Sequence, residues 1–144
     1  MKTYAFDSNT ISYFLREEGN VRQNIEREVL QGVNPYAIPP MVIYEIMRWL
    51  RDNPTADMQI YTQKFDLLLQ AVKHKSVMTL EMWEKSADIY IDLIQKKRLS
   101  AVKSKNKDAD ILIASFCLVN DYTLVTRNSK DFEHIDGLKI VDWF

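Results

Sequence analysis

Apolar residues along this chain follow both strand-like and helical spacings. Short apolar runs at residues 3–6, 36–38, 77–79, 122–126 and 138–141 read as strands. Apolar positions three and four apart predict helices over 10–17, 21–30, 41–51, 57–74, 81–97 and 108–119, with a helical turn at 129–132. Gly19-Asn20, Gly32 and Asn53-Pro54 punctuate these segments, and Pro39-Pro40 stands at a helix start. The spacing points Ile11, Phe14 and Leu15 inward from the first helix. In the fourth it selects Ile60, Phe65, Leu68, Leu69 and Val72 for the core, and in the fifth Ala87, Tyr90, Ile91 and Ile94.

Strands alternating with helices predict an α/β fold, a small parallel sheet with helices on both faces. In such sheets ligands collect beyond the carboxyl ends of the strands. Asp7 directly follows the first strand, and the segment after Thr126 reaches the same edge.

The length of 144 residues suits one domain, 1–144, with a sizeable core. Apolar residues are 47% and charged residues 27%, which argues against disorder. The net charge of -1 means that any nucleic-acid contact must rest on local positive charge. Cys117 is the single cysteine, so an internal disulfide and a Cys-based zinc site are excluded, which fits a reducing cytoplasm. With only His74 and His134, a His-rich metal centre is disfavoured. The first residues do not read as a secretory leader, and no apolar run approaches the roughly 20 residues of a membrane span.

Four acidic residues stand out, each with a structural alternative. Asp7 ends a strand, where Asp also serves as a helix cap. Glu45 has Met41, Val42 and Trp49 as helical neighbours, an apolar surface on which a carboxylate loses hydration. Its alternative is an ion pair with Arg48. Asp110 lies in the first turn of its helix, where acids favour the dipole, yet its face continues through Ile113, Ala114 and Cys117. Asp108 is about 200° round the helix and reads as the cap. Asp131 stands one turn after Asn128 in a segment whose Asp and Asn also suit an ordinary loop. Together the four form a self-repelling set that a cation would relieve. Oxygen donors without His or Cys favour Mg2+ or Mn2+.

The segments around these acids resemble the motifs of PIN-domain nucleases, especially VapC-type toxins of toxin–antitoxin pairs. Tyr4-Ala5-Phe6-Asp7-Ser8-Asn9-Thr10 is similar to the first motif and Val42-Ile43-Tyr44-Glu45-Ile46 to the second. Asp110-Ile111-Leu112-Ile113-Ala114 resembles the third, and Thr126-Arg127-Asn128-Ser129-Lys130-Asp131-Phe132 the fourth. The resemblance implies a metal-dependent endoribonuclease whose acidic site is Asp7, Glu45, Asp110 and Asp131. Asn9, Asn128 and Ser8 would orient ligands or substrate, Ser8 replacing a common threonine but keeping its hydroxyl. The implied partners are an RNA such as transfer RNA, a cognate antitoxin and a second copy of the chain, with no membrane.

The run from Lys96 to Lys107 concentrates positive charge before Asp110. Lys103, Lys105 and Lys107, with Arg127 and Lys130, are therefore candidates for RNA phosphate contacts, or simply a solvated surface. Trp49 and Trp83 read as core or dimer contacts, and the apolar faces of 10–30 and 41–74 as a homodimer surface. A magnesium-dependent phosphatase of the haloacid-dehalogenase type is disfavoured, because its second Asp would fall where Asn9 stands. A non-catalytic RNA- or protein-binding module would have no use for repelling carboxylates.

Overall fold

The computed structural model describes residues 2–52, 55–101 and 106–144. Four short strands, β1 (Tyr4–Phe6), β2 (Tyr36–Ala37), β3 (Thr123–Val125) and β4 (Lys139–Val141), form a parallel sheet in the order β2-β1-β3-β4. The helices around it are α1 (Ser8–Leu15), α2 (Val21–Ile25), α3 (Pro40–Asp52), α4 (Ala56–Gln70), α5 (Leu80–Gln95), α6 (Lys107–Asn120) and α7 (Ser129–Phe132). This is the predicted α/β architecture. Ala5, Phe6, Ala37, Leu124 and Val125 are buried, as the strands of a covered parallel sheet require. The chain adds β2 on one side of β1 and β3 on the other. The strand order therefore reverses across β1, and the carboxyl end of β1 and β3 is the crevice where such folds bind ligands.

Helix boundaries follow their caps. α1 starts at Ser8, ahead of the expected 10, because Asp7 accepts a hydrogen bond from the Thr10 backbone and caps it. α2 widens into a π-helical turn (Glu26–Leu30), and Gly32 follows with a φ of 79°. Asn106, rather than Asp108, caps α6, accepting from the Ala109 backbone.

Other expectations are corrected. Residues 77–79 form no strand, because the outer edge of β2 is already covered by side chains. Lys75 Nζ donates to the Tyr36 carbonyl at 3.1 Å and Ser76 Oγ to that of Ile38 at 2.7 Å. Thr79 instead caps α5. That helix turns inward the stripe Met82, Ser86, Ile89 and Leu93, leaving Ala87, Tyr90, Ile91 and Ile94 exposed. Both of its faces carry apolar residues, so periodicity alone does not choose between them. A hydrogen bond between the buried hydroxyls of Ser86 and Ser115, 2.8 Å long, joins α5 to α6 and fixes the choice. Ile60 is exposed too, whereas Phe65, Leu68 and Val72 are core. Trp83 is exposed, and Trp49 stacks on Tyr61 at 6.0 Å.

Tyr36 links the sheet to α4. Its ring stacks on Phe6 at 5.7 Å, and its hydroxyl donates to the Leu68 carbonyl at 2.6 Å near the end of α4. Tyr36→Phe keeps the ring and removes the donor. The expected loss is about 1–2 kcal/mol, seen as a lower denaturant midpoint at constant m-value. An unchanged midpoint would show that the bond contributes nothing net.

Candidate functional site

The site begins where β1 ends. Asp7 follows β1 directly and is 5% exposed. A buried carboxylate needs hydrogen-bond donors, and the local fold supplies them. Its Oδ1 accepts from the Thr10 backbone at 2.9 Å and lies 2.6 Å from the Thr10 hydroxyl. Its Oδ2 accepts from the Thr126 hydroxyl at 2.5 Å. Thr126 is brought there by register: Phe6 pairs with Val125, so the residues that follow, Asp7 and Thr126, meet at the sheet edge. The Thr10 hydroxyl is also 2.9 Å from the Val125 carbonyl, and its single proton serves one acceptor at a time.

Burial pushes the Asp7 carboxyl above the usual range, and the Glu45 charge adds to that rise. The bonds from Thr10 and Thr126 oppose it without cancelling it. Burial and the Asp7 charge together also push the Cys117 thiol far up, so Cys117 is an inert core residue rather than a nucleophile.

Glu45 is half-buried on α3 and turns toward Asp7. Its Oε1 accepts from the Ser8 hydroxyl at 2.8 Å. Arg48 stacks instead over the Tyr44 ring, 5.2 Å from its centroid. Of the two readings of Glu45, the structure favours the one that faces the site.

Asp110 lies in the first turn of α6, whose N-terminus reaches the same sheet edge, and its Oδ2 is buried. Asp131 is half-buried in α7, and its backbone donates to the Asn128 carbonyl at 3.0 Å. Asn9 and Asn128 are exposed; the Asn128 backbone donates to Thr126 Oγ1 at 3.0 Å. Among the described residues, no group of three or more His, Cys, Asp or Glu side chains is close enough to hold a metal ion. Asp7 and Glu45 are thus brought together, while Asp110 and Asp131 do not join them in one tight cluster.

Lys107 opens α6, Arg127 is exposed just ahead of α7, and Lys130 is exposed within it. Lys103 and Lys105 lie outside the described residues. Part of the basic run is already neutralised: Lys96 pairs with Asp92 and Asp136, and Arg98 with Asp136. Among the described residues, no helix is long and apolar enough to cross a membrane.

Sequence reasoning assigned no role to Thr10 or Thr126. Thr10 was recognisable as the position whose backbone an Asp cap reaches three residues ahead. The role of Thr126 depends on strand register, which no local pattern announces.

Residues 4–138 match the PIN domain family, and the chain belongs to it. The fold is similar to that in the solved structure of VapBC2 from Rickettsia felis bound to a DNA fragment from their promoter, with TM-score 0.77, 21% identity and 99% of each chain covered. It is likewise similar to DNA-bound VapBC from Salmonella typhimurium, with TM-score 0.76, 16% identity and all of each chain covered. For FitAcB from Neisseria gonorrhoeae the TM-score is 0.77 at 15% identity over 95% of each chain. At these identities the likeness is one of fold. No curated protein sequence matches the chain.

The raised Asp7 pKa has a definite sign in stability. Protonated Asp7 stabilises the metal-free fold fully below the ordinary carboxylate pKa of about 3.9, and that contribution is lost as the pH rises through the raised folded value. Asp7→Asn has no such charge to bury. In EDTA, wild type should therefore lose stability relative to Asp7→Asn as the pH rises from about 4 toward neutrality, read by urea unfolding. A difference that stays flat with pH would contradict the assignment.

Proposed function

We propose that this PIN-domain protein is a metal-dependent endoribonuclease, the toxin of a toxin–antitoxin pair. The observation that carries the reading is the Asp7 carboxylate, buried at the β1–β3 crevice, held by two threonine hydroxyls and repelled by Glu45. A purely structural role would be met by Asn, which caps a helix without the charge.

The donors suit Mg2+ or Mn2+ in kind. Mg2+ is commonly held by one or two carboxylates together with water and substrate phosphates, so a full protein cage is not needed. Asp7 and Glu45 would be the principal protein donors, with Asp110 and Asp131 beside them on the same edge. Such a cation activates water and stabilises the charge of a phosphodiester transition state. The chain's own residues do the rest. Thr10 and Thr126 fix the Asp7 oxygens, and the Ser8 hydroxyl holds Glu45. Asn9 and Asn128, both exposed at this edge, would meet substrate. Lys103, Lys105, Lys107, Arg127 and Lys130 are the candidates for RNA phosphates.

The similar VapBC structures contain antitoxins and support an antitoxin as partner here. A homodimer belongs to the same proposal, through the faces of 10–30 and 41–74, where Leu30, Tyr44, Ile60 and Leu67 are exposed, with exposed Trp83 as a further contact. A non-catalytic binding module is the second reading, and metal dependence separates the two.

Purified protein should cleave RNA with Mg2+ or Mn2+ and not with EDTA. Asp7→Asn should lower the rate about a hundredfold or more, since a bound metal supplies several kcal/mol of transition-state stabilisation. Ser8→Ala should cost only about fivefold, the worth of one hydrogen bond. Tight RNA binding without cleavage, unaffected by Asp7→Asn, would establish the binding-module reading instead.

A further inference from the structure

Residues 141–144 and α1 both reach the exposed residue that follows Thr126. The guanidinium of Arg127 lies 5.7 Å from the centroid of the Tyr13 ring and 5.7 Å from that of Phe144. Its Nη1 donates to the Tyr13 hydroxyl at 3.0 Å. Tyr13 and Phe144 meet edge to face at 5.0 Å. The Arg16 guanidinium stands 4.8 Å from the Tyr13 ring, and Glu18 answers its charge at 3.0 Å.

The segment that carries Phe144 is itself fixed. Trp143 packs on Tyr4 at 4.7 Å, and its carbonyl accepts from the Asn24 side chain at 2.7 Å. The Phe144 backbone donates to Asp142 Oδ1 at 2.9 Å. Just before it, the Val141 carbonyl accepts from the Thr126 backbone at 3.0 Å. Residues 141–144 thus reach the Thr126 loop at two points, once through backbone and once through the Arg127 side chain.

We propose that Arg127 is a positioning residue: seated on Tyr13 and Phe144, it anchors the 126–128 loop so that the Thr126 hydroxyl stays on Asp7. The loop is short and its three residues have linked duties. Thr126 Oγ1 donates to Asp7 and accepts from the Asn128 backbone. Arg127 lies between them, on the solvent side, and its side chain is the one that reaches across to Tyr13 and Phe144. An arginine kept free for phosphate has no need of two aromatic rings, one of them also accepting through its hydroxyl. The inference assigns Arg127 a different task from the phosphate contact considered above. It rests on the nuclease reading only for its metal-affinity and activity measurements.

The test uses Phe144→Ala, Phe144→Leu and Phe144→Tyr, which leave every charge in place. Leu keeps apolar packing without a ring; Tyr keeps the ring. Three readings are taken: amide hydrogen exchange at Asn128 in metal-free protein, Mn2+ affinity by calorimetry, and kcat and KM for RNA cleavage. The expected result is faster Asn128 exchange, weaker Mn2+ binding and lower kcat in Ala and Leu, each by about two- to fivefold as one cation–π contact allows, with KM constant and Tyr near wild type. A changed KM with kcat, Mn2+ affinity and Asn128 exchange unmoved would make Arg127 a phosphate contact and overturn the proposal. Leu behaving as wild type would overturn it as well, by showing that packing alone suffices. If the wild type neither binds Mn2+ nor cleaves RNA, the nuclease reading falls, and Asn128 exchange still decides the positioning role.

Discussion

A carboxylate taken out of water must be given donors or give up its charge, and that constraint on Asp7 organises the structure around it. Asp7 is 5% exposed, yet its oxygens meet one backbone amide and two hydroxyls. Thr10 comes from the first turn of α1, so the bond that stabilises Asp7 also starts that helix. Thr126 comes from the end of the neighbouring strand, so the same carboxylate joins the β1 and β3 edges. Even so, burial outweighs these bonds and the pKa stays raised. Burial therefore holds the Asp7 carboxyl against its charged form at the one point where α1 and β3 both meet it.

Much of the fold was legible because local signals agreed. The β1 run, the Asp7 cap and the α1 face all follow from consecutive residues. The parallel sheet followed from alternation of element types. The failures occur where two local readings are equally good. α5 has apolar side chains on both sides, and the buried stripe was settled by the serine pair Ser86 and Ser115 from different helices. Residues 77–79 look like a strand, but the edge they would occupy is capped by Lys75 and Ser76. In each case a contact between distant segments decided, and such contacts leave no periodic trace.

The candidate site divides along the same line. The acids were legible because carboxylates on apolar faces are costly and hence conspicuous. Both Glu45, aimed at Ser8, and Asp110, with a buried oxygen, follow that logic. Threonines are not conspicuous, since a buried Thr is ordinary in any strand or helix. Thr126 becomes significant only when the register places it opposite Asp7. The exposed residues were the least legible. Arg127 is one among many surface cations by sequence, and only the arrival of Phe144 and Tyr13 distinguishes it.

The basic run shows how neutrality overall and positive charge locally are reconciled. Near α5, Lys96 and Arg98 share Asp136, and Lys96 also has Asp92. These exposed pairs contribute little to stability. Their larger effect is on the field, because they cancel charge at one end of the run, while at the other Asp108 and Asp110 share the first turn of α6 with Lys107. Positive charge for a polyanion at the Asp7 edge would then rest on exposed side chains such as Arg127 and Lys130, set against the acids of α6.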